Sequence, residues 1–299
     1  MRAGRSTTVA AVAGALALTA FAAPAAEAAD TGITVSGVVV NGGRPIVVGT
    51  TKEVYPGLRF RVTWPAGHPL DDVDASLFLY HGTTAAQGAD HGGIYCNSIT
   101  CYEDGSRAAD CEGEFHVDPR YRLDSDGDAT TRKVASHAMV RASEDRVRSE
   151  EYLTGPGTAQ VERAAKATAD ASPEPVAKGK KLTVTGRLTR ADRVRHAYVG
   201  HGGKAAKLQF RKAGTSTCST VRIVNADSAG HLRTTVTANA DGYWRWTFGE
   251  TATTGGASAA GDYVDARWPP PGPGVAEEPY RPGVTPTNLR KCRVRWAWS

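Results

Sequence analysis

Apolar and polar residues alternate along most of this 299-residue chain, and this alternation restricts its fold more than any other feature. An extended segment with every second side chain apolar places one face on a core and the other in water. The pattern holds over residues 58–64, 181–185, 207–211, 232–236 and 243–248. Turns rich in Asn, Asp, Gly and Ser separate these segments. The sequence therefore predicts an all-β chain of short strands.

The first residues have the composition of a secretory signal peptide. Arg2 and Arg5 precede an apolar run over residues 9–23, and small residues surround Glu27. The run is shorter than the ~20 strongly apolar residues that span a bilayer. We therefore expect a signal peptide over residues 1–28, no membrane span, and an extracellular protein that is secreted or associated with the cell wall.

Gly- and Pro-rich stretches divide the remaining chain. Those at 154–157 and 171–175 predict a linker over residues 154–175 that leads into a new strand. The flanking segments, 29–153 and 176–267, are each near the ~100 residues of an immunoglobulin-like sandwich. Residues 268–299 begin with a proline run that cannot pair in a sheet, because proline donates no ladder hydrogen bond. We expect two tandem immunoglobulin-like β-sandwich domains followed by a Pro-rich basic tail.

Charge and motifs argue against several classes of function. The net charge of +5 is spread along the chain, without the cationic stripe interleaved with aromatics that nucleic-acid binding would favour. The chain has no Gly-x-Ser-x-Gly or His-Glu-x-x-His motif, no phosphate-binding loop and no dinucleotide-binding glycine pattern. The eight histidines stand in no recognisable order with a carboxylate and a nucleophile. We predict a non-enzymatic protein with no catalytic residues and no nucleic-acid partner.

One disulfide is predicted from the geometry of a hairpin. Residues 103–106 supply the turn, and a hairpin centred on residue 106 places Cys101 and Cys111 opposite each other. Thiols of exported proteins tend to oxidise, so we expect these two cysteines to be bridged.

The other three of the five cysteines are Cys96, Cys218 and Cys292. Cys218 and Cys292 are an alternative second pair, which would tie the tail to the second domain, and the sequence leaves this pairing open. Zinc binding by Cys96 and its neighbours is less favoured, because no Cys-x-x-Cys pair is present. Cys96 then has no assigned partner.

An acidic turn suggests calcium as a cofactor. Asp124, Asp126 and Asp128 alternate, and carboxylates spaced in this way suit a hard cation that takes six to eight oxygen ligands. The later positions of an EF-hand loop, which require Gly, an oxygen ligand and Glu, hold Ala129, Arg132 and Ala135. The segment is therefore not an EF-hand. A plain turn between strands is favoured, and a looser calcium site is the alternative.

The tryptophans near the end of the second domain allow two interpretations. Trp244, Trp246 and Phe248 share one face of a strand, with Tyr243 and Arg245 on the other. Side chains with this spacing are usually core, and a sugar-stacking platform is the alternative. We predict that the tryptophans are buried.

Six motifs between residues 31 and 267 point to one group of known proteins. They are VVNGGRPIVVG at 39–49, SPEPV at 172–176, KGKKLTVTG at 178–186, KLQFRK at 207–212, DGYWRW at 241–246 and GDYVD at 261–265. Together they resemble secreted actinobacterial proteins built from immunoglobulin-like modules. The resemblance implies tandem sandwiches and a cysteine pair at the spacing of Cys101 and Cys111. Most such proteins are uncharacterised, some are labelled calcium-binding, and they usually end soon after the last motif, so the tail is a departure.

These observations converge on an extracellular or cell-envelope protein without catalytic activity. Its sandwiches are expected to act as a binding module or as spacers. The expected partner is an extracellular ligand, either a cell-wall polymer or a protein. The alternatives are a calcium-dependent binding protein that uses Asp124, Asp126 and Asp128, and a carbohydrate- or cell-wall-binding module.

Overall fold

The computed structural model describes residues 30–123 and 125–267. The predicted signal peptide, Asp124 and the predicted tail lie outside the described residues. Within them, one short helix, α1 (Ala85–Asp90), accompanies a long series of strands. The strands are β1 (Thr34–Val40), β2 (Ile46–Val48), β3 (Gly57–Thr63), β4 (Val73–Tyr80), β5 (Ile94–Glu103), β6 (Ala108–Phe115), β7 (Thr131–Ser143), β8 (Arg146–Arg163), β9 (Ala165–Ala167), β10 (Asp170–Ser172), β11 (Val176–Ala177), β12 (Lys181–Asp192), β13 (Ala197–Gly200), β14 (Ala205–Lys212), β15 (Ser219–Asn225), β16 (His231–Thr237), β17 (Gly242–Phe248), β18 (Ala257–Ser258), β19 (Asp262–Val264) and β20 (Ala266–Arg267). The all-β prediction is confirmed.

The first domain is a sheet that folds over on itself. Its strand order is β1-β3-β6-β5-β4-β7-β8-β2. Strand β5 joins the two halves, because it pairs with Phe78 and Leu79 of β4 and then, after a bulge near Cys96, with β6. Both halves contribute side chains to one core, among them Phe60 and Leu77. This is a sandwich-like arrangement, with the period-two residues of β3 facing inward as predicted.

Strand β8 contains residues 154–157, which the sequence analysis assigned to a linker. In its register with β7, Lys133 faces Thr158 and Ala135 faces Thr154, so residues 155–157 form a bulge. A bulge tolerates Pro156, which has no N–H to donate to the ladder. The chain is therefore in a strand, not a linker, as far as Arg163.

The second domain begins directly after β8. Strands β9 and β10 pair with β12, which also pairs with β13 and β16. A second sheet has the order β15-β14-β17-β18, with β19 also on β17, and β11 and β20 form a parallel pair. One core lies between the sheets, which completes the second sandwich.

Trp246 connects the two sheets of the second domain. It is fully buried, and its indole Nε1 donates to the carbonyl oxygen of Thr185 on β12 at 3.1 Å. A Cβ atom at Gly186 would lie 2.6 Å from the Trp246 ring, so the close approach of the sheets requires glycine there. Trp244 and Phe248 are also buried, which confirms that this face of β17 is core.

The two domains meet through backbone hydrogen bonds as well as side chains. The N–H of Arg163, the last residue of β8, donates to Thr253 of the second domain, and the Gly255 N–H donates back to the Arg163 carbonyl. The Ala164 N–H donates to the Val48 carbonyl oxygen of β2 at 2.9 Å. Because peptide groups of both domains bond at this point, the junction is a continuation of strand pairing and has no spacer.

Candidate functional site

The predicted hairpin disulfide is present. Strands β5 and β6 pair so that Cys101 faces Cys111, and the two sulfur atoms are bonded. Gly105 and Arg107 adopt positive φ angles in the turn between these strands. The bridge therefore links β5 and β6 close to the turn of their hairpin.

The other cysteines differ in state. Cys218, just before β15, is disulfide-bonded. Cys292, its predicted partner, lies outside the described residues, so that pairing stays a prediction. Cys96 is a free thiol, half-buried near the bulge of β5, and burial raises its pKa.

The acidic turn is held by cations from the protein itself. Asp126 forms an ion pair with Arg163 at 2.5 Å, and Asp128 accepts from Arg132 at 2.7 Å. The Ser125 N–H and hydroxyl both donate to the second oxygen of Asp128, which closes a capping box. Asp124 lies outside the described residues. Across the part of the chain that the structure describes, no three His, Cys, Asp or Glu side chains are placed to hold a metal ion.

One cluster that sequence reasoning missed surrounds Glu53 in the first domain. Tyr55 donates to its carboxylate at 2.6 Å, His116 Nε2 lies 3.0 Å away, and Arg120 donates to the other oxygen at 3.0 Å. The hydrogen bond from Tyr55, followed by that from His116, lowers the pKa of Glu53. A carboxylate held in its ionised form by three neighbours is a poor general base. The cluster is better explained as a structural link between the segment before β3 and the loop after β6, which also pair through a bridge between Val54 and Val117.

The most distinctive surface is the outer face of the second sheet of the second domain. We call it the cationic face, and it consists of Lys207, Gln209 and Arg211 on β14, Tyr243, Arg245 and Thr247 on β17, and Tyr263 on β19. Residues directly opposite each other in antiparallel strands project to the same side. Because the alternate residues Trp244 and Trp246 are buried, these side chains must face outward.

Neighbouring side chains order this face. The Arg211 guanidinium lies 4.0 Å from the centre of the Tyr243 ring, a cation–π contact. The Tyr243 and Tyr263 rings are 5.1 Å apart and inclined at 60°. Arg245 Nε donates to the Gln209 side-chain oxygen at 3.0 Å. The face is thus a row of preorganised cations beside a pair of tyrosines.

Lys207, Arg211 and Arg245 give the cationic face a positive charge. Burial, and then the charge of Arg211, lower the pKa of Arg245, as expected for cations that share a surface without counter-charge. None of the seven residues that define the face is acidic. The nearby carboxylates of Asp241 and Asp265 already bond to the Ala266 N–H and to Arg267. Arg211 also donates to the Thr215 carbonyl oxygen at 2.9 Å, so the hydrogen bonds of these cations go to neutral acceptors.

One sequence signal anticipated part of this face. The alternation over residues 243–248 placed Tyr243 and Arg245 opposite the tryptophans, and the structure confirms it. The sequence could not show that Lys207 and Arg211 lie beside them, because the register between β14 and β17 depends on pairing across about thirty residues of chain.

No helix in residues 30–123 or 125–267 is long and apolar enough to cross a membrane. No family model and no curated protein matches this chain. Several solved structures show a distant likeness. The full Ig1–Ig3 ectodomain of mouse nectin-like molecule 4 is 15% identical, with 83% of this chain and 66% of that one covered and a TM-score of 0.22. This chain therefore spans just under two thirds of that ectodomain.

Two other solved structures show a similar degree of likeness. The D00–D0 domain of intimin is 14% identical, with 77% of this chain and 99% of that one covered and a TM-score of 0.25. The fibronectin(III)-like modules of Clostridium thermocellum CbhA are 11% identical, with coverages of 78% and 91% and a TM-score of 0.27. The all-β class of this chain rests on its own strands and its two cores.

Proposed function

We propose that this protein is a non-enzymatic, extracellular or cell-envelope binding module that attaches to acidic polysaccharides through the cationic face. The observation that carries the proposal is the grouping of Lys207, Arg211 and Arg245 with Tyr243 and Tyr263 on one open sheet face. The proposal makes the cell-wall-binding alternative of the sequence analysis specific to one surface.

The chemistry of the face suits a polymer that combines sugar rings with carboxylates. Guanidinium groups form paired, charge-assisted hydrogen bonds with carboxylates, and tyrosines contribute apolar ring faces and a polar hydroxyl. Lys207 and Arg211 are four residues apart on one strand, which is about 13 Å at the usual rise. A flat surface of this length matches an extended chain better than a single small ligand.

The compartment is supported by two independent features. The first 28 residues have the composition of a secretory signal, although they lie outside the described residues. The Cys101–Cys111 disulfide suits an oxidising environment, since thiols stay reduced in most cytosols. An acidic cell-surface polymer would be accessible to the protein in that location.

Binding to polygalacturonate, with uncharged dextran as the reference, tests the function. The test variant is the triple substitution Lys207→Gln, Arg211→Gln and Arg245→Gln. The control is Lys181→Gln, Arg187→Gln and Arg233→Gln, which removes three exposed cations from the opposite sheet. We expect the Kd for polygalacturonate to rise at least tenfold in the test variant and to stay within twofold of wild type in the control.

Several results would overturn the proposal. One is the absence of binding to polygalacturonate at low salt. Another is an equal loss in both triple variants, which would indicate attraction by net charge alone. Equal binding to dextran would also contradict it, because the cations would then contribute nothing.

A further inference from the structure

Five polar side chains form a buried layer where the two domains meet. They are Arg163, Arg190, Arg193, His201 and Thr254, and all except Arg190, which is half-buried, are at most 5% exposed. Charged residues are rarely buried to this extent unless they are paired. The layer therefore needs a chemical explanation beyond packing.

Strand register brings these groups together. Ala165 of β9 pairs with Arg190 of β12, which places Arg163, two residues earlier, next to Arg190. On the other side of β12, the His201 N–H donates to the Leu188 carbonyl oxygen, so His201 lies beside the same stretch of strand. Leu188 and Arg190 project to the same side of β12, toward the core.

The loop before β18 lies beside the end of β8. An isolated parallel bridge pairs Arg163 with Thr254, and the His201 ring contacts Phe248 edge-on at 5.3 Å. The polar groups thus lie between the end of the second core and the first domain.

Several donors in the layer have no acceptor. Within the described residues, Nε of Arg163, Arg190 and Arg193, the Thr254 hydroxyl and His201 Nε2 are buried and make no hydrogen bond. Arg193 uses its other nitrogens on the carbonyl oxygens of Gly49 and Glu162. Buried donors in folded proteins almost always have partners, so a group of this kind in one place indicates a missing acceptor.

Burial disfavours the charged form of two arginines in the layer. Asp126 faces Arg163, whereas Asp128 is held by Arg132. Burial, and then the charge of Arg163, lower the pKa of Arg190, and the same two causes lower that of Arg193 to about 10. Asp126 and Asp192 act on Arg190 in the opposite direction, as do Asp128 and Asp126 on Arg193, but burial outweighs them.

Two further titratable groups are His201, within the layer, and Glu162, whose backbone carbonyl oxygen accepts from Arg193. Burial, and then Arg190, lower the pKa of His201 to about 4, which leaves its ring neutral near pH 7. Burial, and then Glu250, raise the pKa of Glu162 to about 7. Glu162 therefore lies near another carboxylate, and its Oε2 makes no hydrogen bond to the guanidinium groups.

We propose that the domain junction binds a small inorganic oxyanion, phosphate or sulfate, held by Arg163, Arg190 and Thr254. In proteins, such anions accept hydrogen bonds from guanidinium N–H groups and from hydroxyls. Asp126, with a side chain that is half exposed, marks the edge at which the layer meets solvent. A bound anion would link residues from both sides of the junction and stabilise their contact.

The test measures thermal unfolding of the full-length protein in sodium phosphate, sodium sulfate or sodium chloride at equal ionic strength. We expect phosphate or sulfate to raise the Tm by several degrees over chloride, and the increase to saturate with concentration. Isothermal titration calorimetry with phosphate should give one site per chain. In ³¹P NMR the phosphate line should broaden when the protein is added.

Two variants assign the effect to the junction. Arg190→Gln should abolish the oxyanion-specific increase in Tm, whereas Arg187→Gln should retain it. Both variants lose one positive charge from the same strand. They differ because Arg187 is exposed and lies outside the layer. Thr254→Val separates binding from folding, because removal of an unpartnered hydroxyl should leave stability in chloride unchanged or increased and yet weaken phosphate binding at least fivefold.

Other outcomes would overturn the inference. Equal Tm values in all three salts would show that no oxyanion binds. An increase that both arginine variants retain would place the anion elsewhere, for example on the cationic face. Since the cationic-face triple variant leaves the junction intact, its unchanged response to phosphate would separate this inference from the proposed function.

Discussion

Arg193, in the turn after β12, donates to the carbonyl oxygen of Gly49 across the domain junction at 2.6 Å. A second guanidinium nitrogen donates to the Glu162 carbonyl at 3.4 Å, and the side chain is almost fully buried. A cation from the second domain therefore bonds backbone of the first domain, and the two sandwiches are coupled at this residue.

We predict that Arg193→Met uncouples the domains. The half-buried Gly49 carbonyl oxygen and the buried Glu162 carbonyl oxygen lose their donor, a loss of about 1–3 kcal/mol in the free energy of unfolding. Calorimetry should then show two separate transitions where the wild-type protein shows one. The matched control, Arg195→Met, removes an exposed cation of the same turn and should change the stability by less than about 0.5 kcal/mol. A single unshifted transition in Arg193→Met would contradict the coupling.

A pH dependence is expected from Glu162. Its folded-state pKa of about 7 lies above its ordinary value of 4.5, chiefly because of burial. The stability that the protonated form contributes is therefore complete below pH 4.5 and is lost as the pH rises through 7. Glu162→Gln stays neutral, so its free energy of unfolding should exceed that of wild type increasingly between pH 5 and 8. Urea denaturation across this range measures the difference.

The control for this comparison is Glu144→Gln. Glu144 lies in the exposed turn between β7 and β8. Its difference from wild type should stay constant between pH 5 and 8. A Glu162→Gln curve parallel to that of wild type would show that Glu162 is ionised in the folded protein at pH 5.

The hairpin disulfide should stabilise the first domain through the loop that it closes. Cys101 and Cys111 are 10 residues apart, and the chain-entropy model assigns about 3 kcal/mol to a loop of this size. The double variant Cys101→Ala and Cys111→Ala should lose that amount in urea denaturation. Alkylation of the unfolded, unreduced protein should label Cys96 and leave both hairpin cysteines unlabelled. Labelling of Cys101 or Cys111 would disprove the bridge in solution.

A second disulfide is predicted between Cys218 and Cys292. Peptide mapping without reduction should find the tryptic peptides of these residues linked. A chain cut after Arg267 would then lose a large cross-linked loop, which corresponds to about 4 kcal/mol. Cys218→Ser in the full-length protein should give a similar loss. Full stability of the truncated chain would show that the tail contributes nothing to the second domain.

Calcium is expected to have no specific effect on the acidic turn. The carboxylates of Asp126 and Asp128 already bond to Arg163 and Arg132, and a cation would have to displace those arginines. Melting curves in calcium and in magnesium at equal concentration should therefore coincide. A micromolar Kd for calcium that Asp126→Asn abolishes would revive the alternative of a calcium-dependent protein.

Much of the fold could be predicted because its determinants are local. The alternation in β3 and β17 reports directly which side chains face a core, since each strand turns successive residues to opposite sides. The β5–β6 hairpin was also predictable, because a short turn fixes the register and with it the Cys101–Cys111 pair. The Gly155–Pro156 pair was misleading because its structure is not determined locally. The same residues favour a linker and a bulge, and only the partner strand β7 distinguishes them.

By itself, the sequence determined the strand class, the inward faces, the hairpin disulfide and two of the residues on the cationic face. The tertiary structure alone decided that Arg163, Arg190 and Arg193 lie in one buried layer, far from where isolated arginines are expected. Arg163 is in β8, Arg190 in β12 and Arg193 in the turn after β12. No local sequence pattern in these three segments indicates that the arginines are buried. The alternation of apolar and polar residues reports burial within each sandwich. It does not report burial of the arginines at the junction, because that burial results from the contact between the two domains.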